Sequence, residues 1–150
     1  MLALFWLLIA HDLEFTYTVV VIDGAGNYRA DLTCDLDAVA LGVAPGADSE
    51  EVFRQLNALE PDELERRVEQ ARGFMLEHVV VRFDGVRVQP ELTLPEYGNA
   101  GVSPVPTLLG LTARFTGSVP RGVSTMTLTV DRVFPPVYLT VLDEAGSNVT

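Results

Sequence analysis

The chain has 150 residues, 48% apolar and 21% charged, which is enough for one domain with an ordinary core and too apolar for a disordered segment. Its net charge is −11, all ten basic residues are arginine, and the acidic excess lies before Tyr97. That balance excludes nucleic acid as a partner, since binding it needs a cationic face that releases counterions, and it disfavours an anionic membrane surface. The single cysteine, Cys34, excludes an internal disulfide.

Met1 to Ala10 is a short apolar run. A bilayer span needs about 20 such residues, so the run fits the core of a secretory signal peptide, with Ala10 before the cleavage point. It departs from that pattern in lacking a basic start and in carrying Leu8 where a small residue is preferred. From His11 to Ile22 the chain alternates. Leu13, Phe15, Tyr17, Val19 and Val21 share one face, and Glu14, Thr16 and Thr18 share the other. This predicts a half-buried strand with the aromatic and aliphatic set inward. Asp23-Gly24-Ala25-Gly26-Asn27 is a turn. A second strand follows, with Tyr28, Ala30, Leu32 and Cys34 inward and Arg29, Asp31, Thr33 and Asp35 outward.

After Asp37 the character changes. Pro45-Gly46-Ala47 reads as a loop, and Asp48 or Ser49 caps a helix in which Val52, Leu56 and Leu59 recur at helical period. Pro61 suits the first turn of a second helix, where Leu64, Val68, Ala71 and Met75 form an apolar stripe opposite Glu63, Arg66, Arg67 and Gln70. The pair predicts a helical hairpin lying across one end or face of a sheet.

Val79 to Val88 reads Val-Val-Val-Arg-Phe-Asp-Gly-Val-Arg-Val. Asp84-Gly85 signals a type I′ turn, because both central positions need positive φ. That turn sets Phe83 opposite Val86, Arg82 opposite Arg87 and Val81 opposite Val88. Val79, Val81, Phe83, Val86 and Val88 then share one apolar side. Glu91 to Pro95 is a short edge strand, and Glu96 to Pro106 a loop. Leu109, Leu111, Ala113 and Phe115 form the inward set of the next strand, and Met126, Leu128 and Val130 that of another. Val137, Leu139 and Val141 mark the last complete strand. Asp143-Glu144-Ala145-Gly146 repeats the turn grammar of Asp23-Gly24-Ala25-Gly26 and starts a hairpin, so the polypeptide is expected to continue past Thr150. The fold class is therefore mainly β: an antiparallel β-sandwich of about seven or eight strands over 11–150, with a helical insertion at about 48–77.

Chemistry-bearing residues are sparse. His11 and His78 are the only histidines. Cleavage after Ala10 would make His11 the N-terminus, where its amino group and imidazole form a candidate chelate for nickel, cobalt or copper. No other cofactor is predicted. His78 reads as a junction residue. Asp31, Asp35 and Asp37 lack the glycine and terminal glutamate of a calcium loop and read as a solvated strand face. The acidic residues that crowd the helical segment would need a cleft to act as a catalytic pair, and the sequence gives none. Ser103 in a loop and Ser124 on a strand sit in no nucleophile motif, and Gly98-Asn99-Ala100-Gly101 leads into prolines rather than a helix. Asn148-Val149-Thr150 matches a glycosylation acceptor by composition alone, and Cys34 reads as a buried structural thiol. No enzyme is predicted.

A leader ending at a small residue and His-Asp-Leu (11–13) is followed by Tyr-Arg-Ala-Asp-Leu-Thr-Cys-Asp-Leu-Asp-Ala (28–38). The Val-Arg-Phe-Asp-Gly hairpin (81–85) and a Thr-rich strand leading to Tyr-Leu-Thr-Val (138–141) come next. This order resembles the N-terminal extracytoplasmic domain of HupE/UreJ-like bacterial membrane proteins. The resemblance implies a non-catalytic accessory or sensing domain outside the cytoplasm, periplasmic or at the cell surface. It implies tethering by transmembrane helices of the same polypeptide beyond residue 150, and a nickel or cobalt transport context. The family's metal motif belongs to those helices, so no metal residue is carried over. Such a domain is expected to engage a protein partner or a metal outside the membrane. The alternative is a free-standing secreted binding or adhesion module.

Overall fold

The structure is a computed structural model, and it describes residues 16–44, 46–99 and 105–147. The leader, His11, Leu13 to Phe15, the Gly101 end of the glycine loop, Ser103 and the Asn148 tripeptide lie outside the described residues.

Eight strands and three helices follow in the order β1 (Thr16–Ile22), β2 (Asn27–Thr33), α1 (Leu36–Leu41), α2 (Ser49–Asn57), α3 (Pro61–His78), β3 (Val79–Phe83), β4 (Val86–Val88), β5 (Glu91–Thr93), β6 (Thr112–Ser118), β7 (Met126–Val130) and β8 (Val137–Leu142). The strands form a five-stranded sheet, β5-β6-β2-β1-β8, and a three-stranded sheet, β4-β3-β7. All pairs run antiparallel except β1 with β8. The protein is thus mainly β and sandwich-like, with the helices inserted between the second and third strands.

The β3–β4 hairpin follows its sequence. Asp84 and Gly85 both take positive φ, 46° and 82°, and the pairs Phe83–Val86, Arg82–Arg87 and Val81–Val88 are those the turn dictates. Val79, Val81 and Phe83 are buried, and the Phe83 ring meets Tyr28 of the other sheet edge-on at 5.5 Å. Val86 departs from the expectation. It is 69% exposed, on a strand at the edge of the smaller sheet. The side chains of Arg82 and Arg87 are held apart by different acceptors, the Thr129 hydroxyl at 3.4 Å and the Leu76 carbonyl at 3.1 Å.

β1 reverses the expected facing. Thr16, Thr18 and Val20 point into the core, while Tyr17 is half exposed and Val19 and Val21 are only partly covered. The reason is register. β2 turns Tyr28, Ala30 and Leu32 inward, and they oppose Ile22, Val20 and Thr18. Opposed residues share a face, so β2 decides for β1. The price is two buried hydroxyls, Thr16 Oγ1 and Thr18 Oγ1, with no hydrogen-bond partner among the described residues. Each such group costs about 1–3 kcal/mol.

The helices each contribute apolar residues to the core. Asp48 accepts from the Glu51 N–H at 2.9 Å, and Pro61 opens α3, as the sequence implies. Leu56, Val68, Ala71 and Met75 are buried with Leu32, Leu92, Leu109 and Phe115 in one cluster, and Val52 is buried as well. The additional helix α1 replaces the expected solvated aspartate face. Asp35 is its N-cap, accepting from the Ala38 N–H at 2.9 Å, and Gly42 closes it at φ 69°.

Candidate functional site

The outward face of the five-stranded sheet has two halves. On β2 and β6 it is polar. The Asp31 carboxylate accepts two bonds from Arg114, from Nε at 2.8 Å and from Nη2 at 2.9 Å, and Arg29 Nε stands 3.5 Å away. Such forked pairs are geometrically specific and hold neighbouring strands in register. The Arg114 guanidinium is held above its ordinary pKa, first by the Asp31 hydrogen bond. On β1 and β8 the face is apolar. The Tyr17 ring stacks on Tyr138 at 5.7 Å, and both side chains are about half exposed. Val137 and Leu139, on the opposite face of β8, are exposed as well. β8 reads Val-Tyr-Leu-Thr-Val-Leu and carries no charge, in a chain whose net charge is −11.

At one end of this sheet two turns lie side by side. Glu144 of the second accepts the Gly24 N–H of the first at 3.1 Å. Asp23 accepts the N–H groups of Ala25 and Asn27, and the Asn27 backbone bond, first among its causes, draws its carboxyl below the usual range. Beside them is an open depression of about 460 Å³ between Val21, Asn27, Arg29, Thr116 and Ser118. Gly117 is required at its floor, since a Cβ there would stand 2.9 Å from the Tyr28 ring.

Three further titratable groups are buried or paired within the fold. Asp37 is buried, and its two oxygens accept the N–H groups of Leu108 and Leu109, each at 2.8 Å. Burial pushes its carboxyl up, against the pull of those amides. The arrangement ties α1 to the loop before β6 and presents no free oxygen to a substrate. His78 ends α3, as a junction residue should; its Nδ1 lies 3.2 Å from Asp131, its ring tilts against Phe74 at 4.3 Å, and the Asp131 N–H donates to its carbonyl at 2.9 Å. This pair ties α3 to the end of β7, and the His78 bond, the largest cause, lowers the Asp131 carboxyl. The Cys34 thiol is buried and pushed up to about 12, chiefly by desolvation, so it is inert as a nucleophile.

No family model matches the chain, and no curated protein or solved structure matches it.

The structure scatters the aspartates that cluster in the sequence: Asp31 pairs with Arg114, Asp35 caps α1 and Asp37 is buried. Ser124 lies before β7 rather than on a strand, its N–H donating to Asp84. Among the described residues no group of three or more His, Cys, Asp or Glu is placed to hold a metal, and no helix is long and apolar enough to cross a membrane. The candidate chelate at His11 lies outside the described residues. Sequence reasoning missed the exposed Tyr17–Tyr138 corner. The run of six uncharged residues in β8 was its signal, but exposure depends on β8 lying at the sheet edge.

Proposed function

We propose that this is a non-catalytic extracytoplasmic accessory or sensing domain of a HupE/UreJ-like membrane protein, in a nickel or cobalt transport context. It docks through the β1–β8 corner against the membrane-embedded part of its own polypeptide. The observation that carries the reading is the exposed, uncharged corner built from Tyr17, Tyr138 and Leu139. Aromatic side chains that are half covered and rigidly stacked are the usual anchors of protein contacts. An acidic domain repels most anionic neighbours, and this corner is where it meets another surface without charge repulsion. The short strings at 28–38, 81–85 and 138–141 support the family context.

The test is a photo-crosslinking residue at Tyr17 in the full-length protein, in its native membrane. The expected product is a crosslink within one polypeptide, mapped to a hydrophobic segment following this domain. Release of the protein into the medium without a membrane fraction overturns the reading and favours the secreted module. A membrane-bound protein that crosslinks at an exposed helix position such as Glu69 but not at Tyr17 overturns the docking surface.

A further inference from the structure

The outward face of the three-stranded sheet carries two opposed cations that the fold leaves without carboxylates. Val79, Val81 and Phe83 point inward, so Val80 and Arg82 point outward, and β7 presents Thr127 and Thr129 beside them, both exposed. Arg82 stands directly opposite Arg87 of β4. Side chains so placed start about 4.5–5.5 Å apart at Cβ, and like charges there repel. The chain has 21 acidic residues, yet neither arginine is ion-paired with one among the described residues. The two side chains splay instead, Arg82 to the Thr129 hydroxyl on β7 and Arg87 to the Leu76 carbonyl near the end of α3. A guanidinium has five N–H donors, so most of their bonding capacity is left for something else.

The same pattern holds for the rest of this sheet. Arg29, Arg54, Arg66, Arg67, Arg72 and Arg114 each meet a carboxylate of the chain. The other arginines are Arg82, Arg87, Arg121 and Arg132, and the last two lie exposed in the turns on either side of β7. Across 79–88 and 119–133 the acids are Asp84 and Asp131, and both are engaged. Asp84 accepts the N–H groups of Ser124 and Thr125, and Asp131 pairs with His78. Arginines thus outnumber acids on this sheet, in a chain whose net charge is −11.

We infer that this face docks an acidic segment of a protein partner, whose carboxylates pair with Arg82 and Arg87 beside the hydroxyls of Thr127 and Thr129. Guanidinium forks match carboxylates bidentately, which gives such a contact specificity as well as attraction. A single small oxyanion fits less well, because the two side chains are drawn to opposite neighbours and an exposed sheet face encloses no ion. An anionic membrane fits less well too, since its plane repels the acidic remainder of the domain, whereas a short segment meets this face alone. The surface belongs to the other sheet from the Tyr17–Tyr138 corner and does not depend on docking there.

The test is fluorescence anisotropy of labelled polyglutamate of about eight residues with the 150-residue chain at low salt, beside polyglutamine of equal length. Wild type is expected to bind polyglutamate and not polyglutamine, with an affinity that falls as salt is raised. Arg82→Gln with Arg87→Gln is expected to weaken binding at least about tenfold, and Arg82→Gln alone at least about threefold. Arg54→Gln with Arg66→Gln removes the same charge from α2 and α3 and is expected to change binding less than about twofold. No binding of polyglutamate by wild type, or equal losses in the two double variants, overturns the inference. Tighter binding of inorganic phosphate, or of vesicles containing phosphatidylserine, overturns it in favour of a small ion or a lipid surface.

Discussion

Two places in this protein bury polar side chains, and they do so to opposite ends. In α1, the Asp37 carboxylate is surrounded by protein but accepts the N–H groups of Leu108 and Leu109. In β1, Thr16 and Thr18 are as deeply buried, and their hydroxyls meet no acceptor among the described residues. Burial alone therefore says nothing about whether a polar group stabilises the fold; the partner decides. Asp37 joins segments 71 residues apart and fixes the loop that leads into β6. Thr16 and Thr18 are there because β2 fixes their facing, and they weaken the core they enter.

The largest expected effect is at the satisfied site. Asp37→Ala strands two amide N–H groups and should destabilise the protein by about 3 kcal/mol in urea unfolding. A loss under about 1 kcal/mol would break the contrast with β1. Next is Val81→Thr, which puts into β3 the same unpartnered hydroxyl that β1 tolerates and should cost about 2 kcal/mol. The mirror change, Thr18→Val, keeps the shape, removes the orphan hydroxyl and should gain about 1 kcal/mol, raising the melting temperature by roughly 2–4 °C. A loss instead would reveal a partner for that hydroxyl.

Acid titration sharpens the same comparison. The folded-state pKa of Asp37 is raised, mainly by burial, so its ionised form carries a folding penalty above that pKa. The penalty fades as pH falls through the folded value toward the unfolded one near 4. Wild type should therefore gain stability relative to Asp37→Asn over that window. The lowered carboxyls of Asp23, Glu63 and Asp131 act in the other direction but are common to both proteins and cancel in the difference. The smallest effect is expected at Val86→Thr, within about 0.5 kcal/mol, because Val86 is mostly exposed.

Local features of the fold were legible in the sequence. The Asp84-Gly85 turn fixed its own register, and the Asp48 and Pro61 helix starts need only neighbours in the chain. The facing of β1 was not legible. Period two separates Tyr17, Val19 and Val21 from Thr16 and Thr18 without saying which set goes inside, and threonine has the shape of valine. That choice belongs to β2, whose Ala30 and Leu32 leave no doubt about their side. α1 was hidden because six residues are too few to show a helical period, although Asp35 and Gly42 bracket it as caps. The corner proposed for docking was readable only as the uncharged run of β8. That the two turns touch, and that β8 lies parallel to β1, are long-range facts with no local signature.

That parallel pair also bears on the time course of folding. β1 leaves the ribosome before the other described strands, and β8 leaves after them, yet they are neighbours in the finished sheet. Contacts so distant along the chain close slowly, because a large loop must lose its freedom before any bond is made. A nascent chain of this sequence therefore cannot complete its five-stranded sheet until β8 has emerged.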